Sequence, residues 1–128
     1  CLAFGSGSGG KLNCFSFMIE RKYDEWAKKI EEGIKPIAFA SAPSDHWHVL
    51  RTVSSEMELG RINMRRLSDI YSLPLDTLSQ DVFKQWTQAG LINPIGDWMV
   101  QTVAGQFWHT TMAQLLVNVL GKRLSQTK

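Results

Sequence analysis

Cysteine is scarce: of 128 residues only Cys1 and Cys14 are cysteines, so there is no disulfide framework and neither a C-x-x-C nor a C-x-x-x-C-x-x-C motif. Such thiols read as small buried hydrophobes, and no metal site is expected from this chain alone. Long apolar runs are missing as well. None approaches the roughly eighteen residues of a membrane span, and the first residues carry neither a basic n-region nor an apolar h-region. A soluble, cytoplasmic protein without membrane contact is the expectation. Charge of one sign is also lacking, since 14 Lys and Arg against 12 Asp and Glu leave a net +2, too little to imply a polyanionic partner. No Ser-His-Asp or Cys-His arrangement is readable, and no carboxylate pair stands apart from helix-surface Asp and Glu.

What is present suffices for one ordinary core, at 44% hydrophobic and 10% aromatic residues. The stretch FGSGSGG at residues 4–10 poses the first question. Gly5, Gly7 and Gly10 satisfy G-x-G-x-x-G, yet residues 11–18 read as extended, with Phe15 and Phe17 on one face, and no helix starts at the last glycine. A pyrophosphate would find no helix N-terminus there. No Lys-Ser or Lys-Thr follows, which excludes a P-loop. A flexible linker sits poorly beside the apolar Leu2, Ala3 and Phe4 before it and Leu12 after it. A tight turn where backbone approaches a ligand or another strand is the remaining reading.

The period then changes to helical. Ile19, Tyr23, Trp26 and Ile30 mark a first helix stopped by Gly33 and Pro36. Residues 37–42 are an apolar connector, and Ser44 caps a second helix whose stripe is Trp47, Leu50, Val53 and Met57. Gly60 closes that helix. Asn63 caps a short one with Met64, Leu67 and Ile70 or Tyr71 inward, and after Pro74 a helix over 76–89 turns Leu78, Val82, Phe83 and Trp86 inward and ends at Gly90. Two extended runs flanking Pro94 to Asp97 predict a hairpin turning at Gly96-Asp97. A last helix carries Phe107, Trp108, Met112, Leu115, Leu116, Val119 and Leu120 inward and ends at Gly121. The expected fold is α+β and mainly helical: a winged helix-turn-helix-like domain of helices plus one β hairpin, preceded by a Gly-rich segment and a helix. The expected divisions are 1–20, 21–121 and a frayed tail, 122–128.

A winged helix invites a nucleic-acid reading, in which residues 76–89 enter the major groove. Two acids against one base on that helix, and no Lys or Arg in the wing over 93–98, argue against it. A winged-helix module that binds protein or DNA is kept as the alternative to the reading below.

The order of FGSGSGG, FSFMIERKYDEW (residues 15–26) and IEEGIKP (30–36), followed by ELGRI (58–62), WTQAGLI (86–92) and QTVAGQFW (101–108), resembles the part of oxygen-independent coproporphyrinogen oxidase-like radical SAM proteins that follows their barrel. AGQFW and the GSGSGG form of the loop are most similar to the heme-utilisation branch, proteins that open or modify heme anaerobically. The resemblance covers nearly the whole chain. It implies a C-terminal domain, non-catalytic because the cluster motif is absent, packing on a barrel this chain does not contain and covering or shaping a tetrapyrrole site. It also implies a parent enzyme, a radical SAM oxidoreductase or methyltransferase acting on heme or coproporphyrinogen, with S-adenosylmethionine and a 4Fe–4S cluster, although this fragment needs no cofactor. Residues 1–20 would be the end of a truncated barrel strand and its loop.

Under that resemblance Gly5, Gly7, Gly9 and Gly10 are expected to face the S-adenosylmethionine and tetrapyrrole space. Arg carries a planar fork that suits propionates. Arg51, Arg61, Arg65 and Arg66 cluster around one helix-to-helix turn, with Arg61 and Arg65 the first candidates and Arg51 next. The plain alternative is a solvated face paired with Glu56, Glu58 and Asp69. His46, His48 and His109 are isolated from one another in the pattern, and the Trp residues read mainly as core, with a heme-stacking wall as the other option.

Overall fold

A computed structural model describes residues 5–12, 15–43 and 45–126. Both cysteines, Leu2 to Phe4 and the expected cap Ser44 lie outside the described residues. The chain divides into two compact units, Cys1–Trp47 and His48–Lys128, rather than after residue 20.

The first unit is a three-stranded antiparallel sheet with one helix. Its strands, β1 (Gly9–Leu12), β2 (Phe15–Ile19) and β3 (Ile37–Ser41), stand in the order β1-β2-β3, and α1 (Tyr23–Glu31) connects β2 to β3. The glycine stretch is therefore split by the fold: Gly5 and Gly7 form a turn at φ +81° and +72°, whereas Gly9 and Gly10 pair with Met18 and Phe17 inside the sheet. The Gly7 amide donates to the Glu20 carbonyl at 2.8 Å, and the Ile19 amide to the Ser8 carbonyl at 2.8 Å. The helically spaced Tyr23 and Ile30 of α1 stay open, 67% and 50% exposed. None of residues 5–10, 15–43 and 45–47 is buried.

The second unit has the winged-helix order. Here α2 (Trp47–Glu58), β4 (Arg61–Ile62), α3 (Met64–Tyr71) and α4 (Leu75–Gln88) precede β5 (Ile92–Ile95) and β6 (Trp98–Gln101), and the sheet order is β4-β6-β5. The local signals act where expected. Asn63 accepts from the Arg66 amide at 2.9 Å, capping α3. Glycines at positive φ, Gly60 (+81°) and Gly90 (+71°), follow α2 and α4, and Gly96 (+58°) makes the hairpin turn between Ile95 and Trp98. The two-residue strand β4 has no sequence signature. Val53, Leu75, Leu116 and Leu120 are fully buried at the centre of the core. Ser79, buried among them, donates to the Leu75 carbonyl at 2.6 Å, and Gln101 donates to the Met57 carbonyl at 2.8 Å, so neither leaves an unmet polar group.

The C-terminal helix departs from expectation twice. It is broken into α5 (Val103–Phe107) and α6 (His109–Gln126), and the interruption at Trp108 shifts the helical phase. Phe107 and Trp108, expected inside, are 79% and 52% exposed, and Leu115 is 44% exposed. At the other end the helix does not stop at Gly121. It runs on through Gln126 with Leu124 buried, so most of the expected frayed tail is packed helix. A Cβ on Gly121 would stand an ordinary 3.6 Å from the Leu50 side chain, so neither crowding nor helix termination requires glycine there.

Candidate functional site

The arginine candidates separate once folded. Arg61 leaves β4 and lies over the Trp98 ring, its guanidinium carbon 4.9 Å from the ring centroid, and Arg66 at the start of α3 approaches the same ring at 5.7 Å. Both are cation–π distances. Arg66 is also paired with Glu56, whose other oxygen faces the Asn63 amide at 3.5 Å. Arg61 thus sets its guanidinium over the Trp98 ring. Arg65 is exposed on α3 and Arg51 is exposed on α2. The structure therefore joins Arg61 to Arg66 and Trp98. Trp98 went unrecognised as part of this group because the two-residue strand β4, paired with β6 through Arg61 and Val100, is what sets it beside the arginines.

Of the glycine candidates, Gly5 and Gly7 have a conformational reason for being glycine. A Cβ on Gly5 would meet nothing within 4 Å and one on Gly7 would stand 3.7 Å from the Arg21 side chain, so positive φ, not crowding, selects glycine there. Gly9 lacks positive φ, and its Cβ would be an ordinary 3.5 Å from the Phe17 carbonyl oxygen. Ser8 Oγ donates to the Gly5 carbonyl at 2.7 Å, which tightens the turn. Beside it the Glu20 carboxylate accepts from Lys29 at 3.2 Å, and that hydrogen bond holds its pKa below the usual value.

A third feature is a glycine that sequence reasoning treated only as part of AGQFW. A Cβ on Gly105 would overlap the Leu91 carbonyl. The residue starts a knot in which Thr102 accepts from the Gly105 amide at 3.1 Å and donates to the Gly90 carbonyl at 2.7 Å, while its own amide donates to the Leu91 carbonyl at 3.0 Å. The α4–β5 turn and the start of α5 are thereby locked together.

On the helix that a DNA-binding reading would place in the groove, Asp81 is engaged by both guanidinium nitrogens of Arg123 from α6, at 2.6 and 2.7 Å. That bidentate bond pulls the Asp81 carboxyl down to about 2. One flank of α4 is therefore occupied by α6, and an acid there is already matched.

An iron–sulfur cluster of the radical SAM kind takes three thiolates from its motif. This chain has two cysteines in all, and among the described residues no three His, Cys, Asp or Glu side chains converge, so the chain's own donors do not fit the cluster. Among the described residues no helix is long and apolar enough to cross a membrane.

The chain is 31% identical over 125 residues, 91% of its length, to anaerobilin synthase of Escherichia coli O157:H7, and spans 25% of that protein. Its fold matches that of coproporphyrinogen III oxidase from Escherichia coli, a radical SAM enzyme, with a TM-score of 0.68 at 12% identity, covering 88% of this chain and 27% of the other. No protein-family model matches. The resemblance read from the sequence thus holds with an enzyme of the heme-utilisation branch in sequence and with a coproporphyrinogen oxidase in fold, and the chain spans about a quarter of each.

Proposed function

We propose that this chain is the non-catalytic C-terminal domain of a longer radical SAM protein of heme utilisation, and that it covers or shapes a tetrapyrrole site whose reactive groups lie in the rest of that protein. The observation that carries this reading is the match along 91% of the chain to only 25% of anaerobilin synthase. The parent would be an oxidoreductase or methyltransferase acting on heme or coproporphyrinogen and would supply the S-adenosylmethionine and 4Fe–4S chemistry. A barrel from the parent would give the first unit its missing cover, since Phe15, Ile34, Ile37 and Phe39 are 51%, 54%, 44% and 61% exposed.

Within this reading Gly5, Gly7, Gly9 and Gly10 face the S-adenosylmethionine and tetrapyrrole space, and Arg61, with Arg65 and Arg51, binds propionate. The stacking of Arg61 on Trp98 favours it over the other two. The matched acid on α4 and its cover by α6 weigh against the alternative, a DNA-binding winged helix.

The test begins with the coding sequence upstream of residue 1: a C-x-x-x-C-x-x-C motif there supports the reading, and an upstream region without one overturns it. In the full-length protein, Gly9→Val is a cleaner probe of the glycine stretch than Gly7→Val, because Gly7 has the positive φ that a branched side chain resists. Lost turnover with an unchanged thermal midpoint is expected; full turnover would remove the glycines from the site. Arg61→Ala is expected to weaken heme binding there.

A further inference from the structure

The second unit carries an open groove that none of the expected site residues line. Its deeper part, about 320 Å³, lies between the end of α4 and the start of α6 and is walled by Trp86, Leu91, Trp108, Met112 and Leu115. A second depression of about 520 Å³ runs on along α6, sharing Thr111 and Leu115 with the first. Both parts are lined mainly by apolar surface. The second adds Val119 and the stems of Thr110, Gln114 and Asn118 to Leu115, and ends at Lys122, the one charged residue in either lining.

The exposure here is anomalous for a helix with its own core. Met112, Leu116 and Leu120 occupy the inward face of α6 at 3% exposure or less, yet Trp108 and Leu115 on the outward side remain 52% and 44% exposed. Trp108 meets Phe107 at near right angles, with ring centroids 5.3 Å apart. From Leu115 to Lys122 the helix rises about 10 Å. An apolar plate followed, one side of a small molecule away, by a cation is complementary to a flat amphiphile with carboxylates along one edge.

We propose that this groove binds a tetrapyrrole, its ring against Trp108 and Leu115 and a carboxylate toward Lys122, as a surface subsite apart from the arginines and glycines above. The proposal rests on the tetrapyrrole reading of the preceding subsection and adds to it a location on this chain. The charge of Lys122 and the two tryptophans select an anionic, planar ligand over an apolar peptide.

The test titrates the 128-residue chain with coproporphyrin III, following quenching of tryptophan fluorescence, in wild type, Trp108→Ala, Leu115→Glu and Lys122→Glu. Trp108 and Leu115 are exposed, so the variants are expected to keep the wild-type circular dichroism and thermal midpoint. Saturable binding that weakens at least tenfold in Trp108→Ala and Leu115→Glu, and roughly threefold in Lys122→Glu with a reduced salt dependence, is the expected result. Binding with equal affinity in all four proteins, or none in wild type, would overturn the subsite. So would sedimentation showing a wild-type dimer that Trp108→Ala dissociates without any porphyrin effect, which would make the groove a contact between copies. None of these failures touches the upstream-motif test, so the groove can fall while the domain assignment stands.

Discussion

The two units of this chain solve burial in opposite ways. In the second, α2, α3, α4 and α6 direct their apolar stripes at one another, and side chains such as Leu67, Leu75 and Leu116 reach 1% exposure or less. The first, with three strands and one helix, buries none of residues 5–10, 15–43 and 45–47 and leaves Phe39 61% exposed on β3. Hydrogen-bonded strands alone therefore define its shape, and these contribute little net stability without an apolar face to exclude water. Regular secondary structure and a core are separable properties, and only the second unit has both.

The comparison is broken most severely by perturbing the tight spot of the second unit. Gly105→Val forces a branched side chain into the Leu91 backbone and is expected to cost more than about 3 kcal/mol, read as a lower urea midpoint of the 128-residue chain. Leu116→Ala, at a fully buried position, is expected to cost about 2–5 kcal/mol by the same measurement. Asn63→Ala removes the α3 cap and should cost about 1 kcal/mol.

Acid sharpens the comparison differently. Because Arg123 depresses the Asp81 pKa to about 2 from 3.8, the stabilisation is complete above the unfolded value and is lost as pH falls from about 4 toward 2. Arg123→Met should flatten the fall of the urea midpoint across that window, and an unchanged slope would show that the pair contributes nothing in solution. The smallest effect belongs to the first unit. Phe39→Ser is expected to shift the midpoint by less than about 0.5 kcal/mol in this chain. A large loss in the full-length protein alone would indicate that the exposed β3 face is covered there.

Much of the second unit is legible in the sequence because its boundaries are set by local chemistry. Asn63, Gly60, Gly90 and Gly96 each act within a few residues, as a cap or through a left-handed backbone, and each does what its type predicts. Other features depend on distant partners. The strand β4 exists because Arg61 and Ile62 pair with Val100 and Met99, and periodicity cannot register two residues. Gly121 is expected as a terminator, but α6 runs on through it to Gln126 because Leu124 beyond it is buried in the core. The arginine cluster was legible as composition; its centre, Trp98, was not, since the sheet order had to be known first. For the first unit, helical spacing in Tyr23 and Ile30 marks a helix, while their exposure is outside its reach, because periodicity reports which face is apolar and cannot report whether anything covers it.

The interruption at Trp108 has a consequence for how this chain varies. Each residue advances an α-helix by about 100°, so a single insertion between Trp108 and His109 would change the angular offset between the aromatic pair and the α6 core stripe by about that much. The joint therefore works as an indexing click: the length of one short connection, with no change in either helix, decides whether two large rings face outward or in.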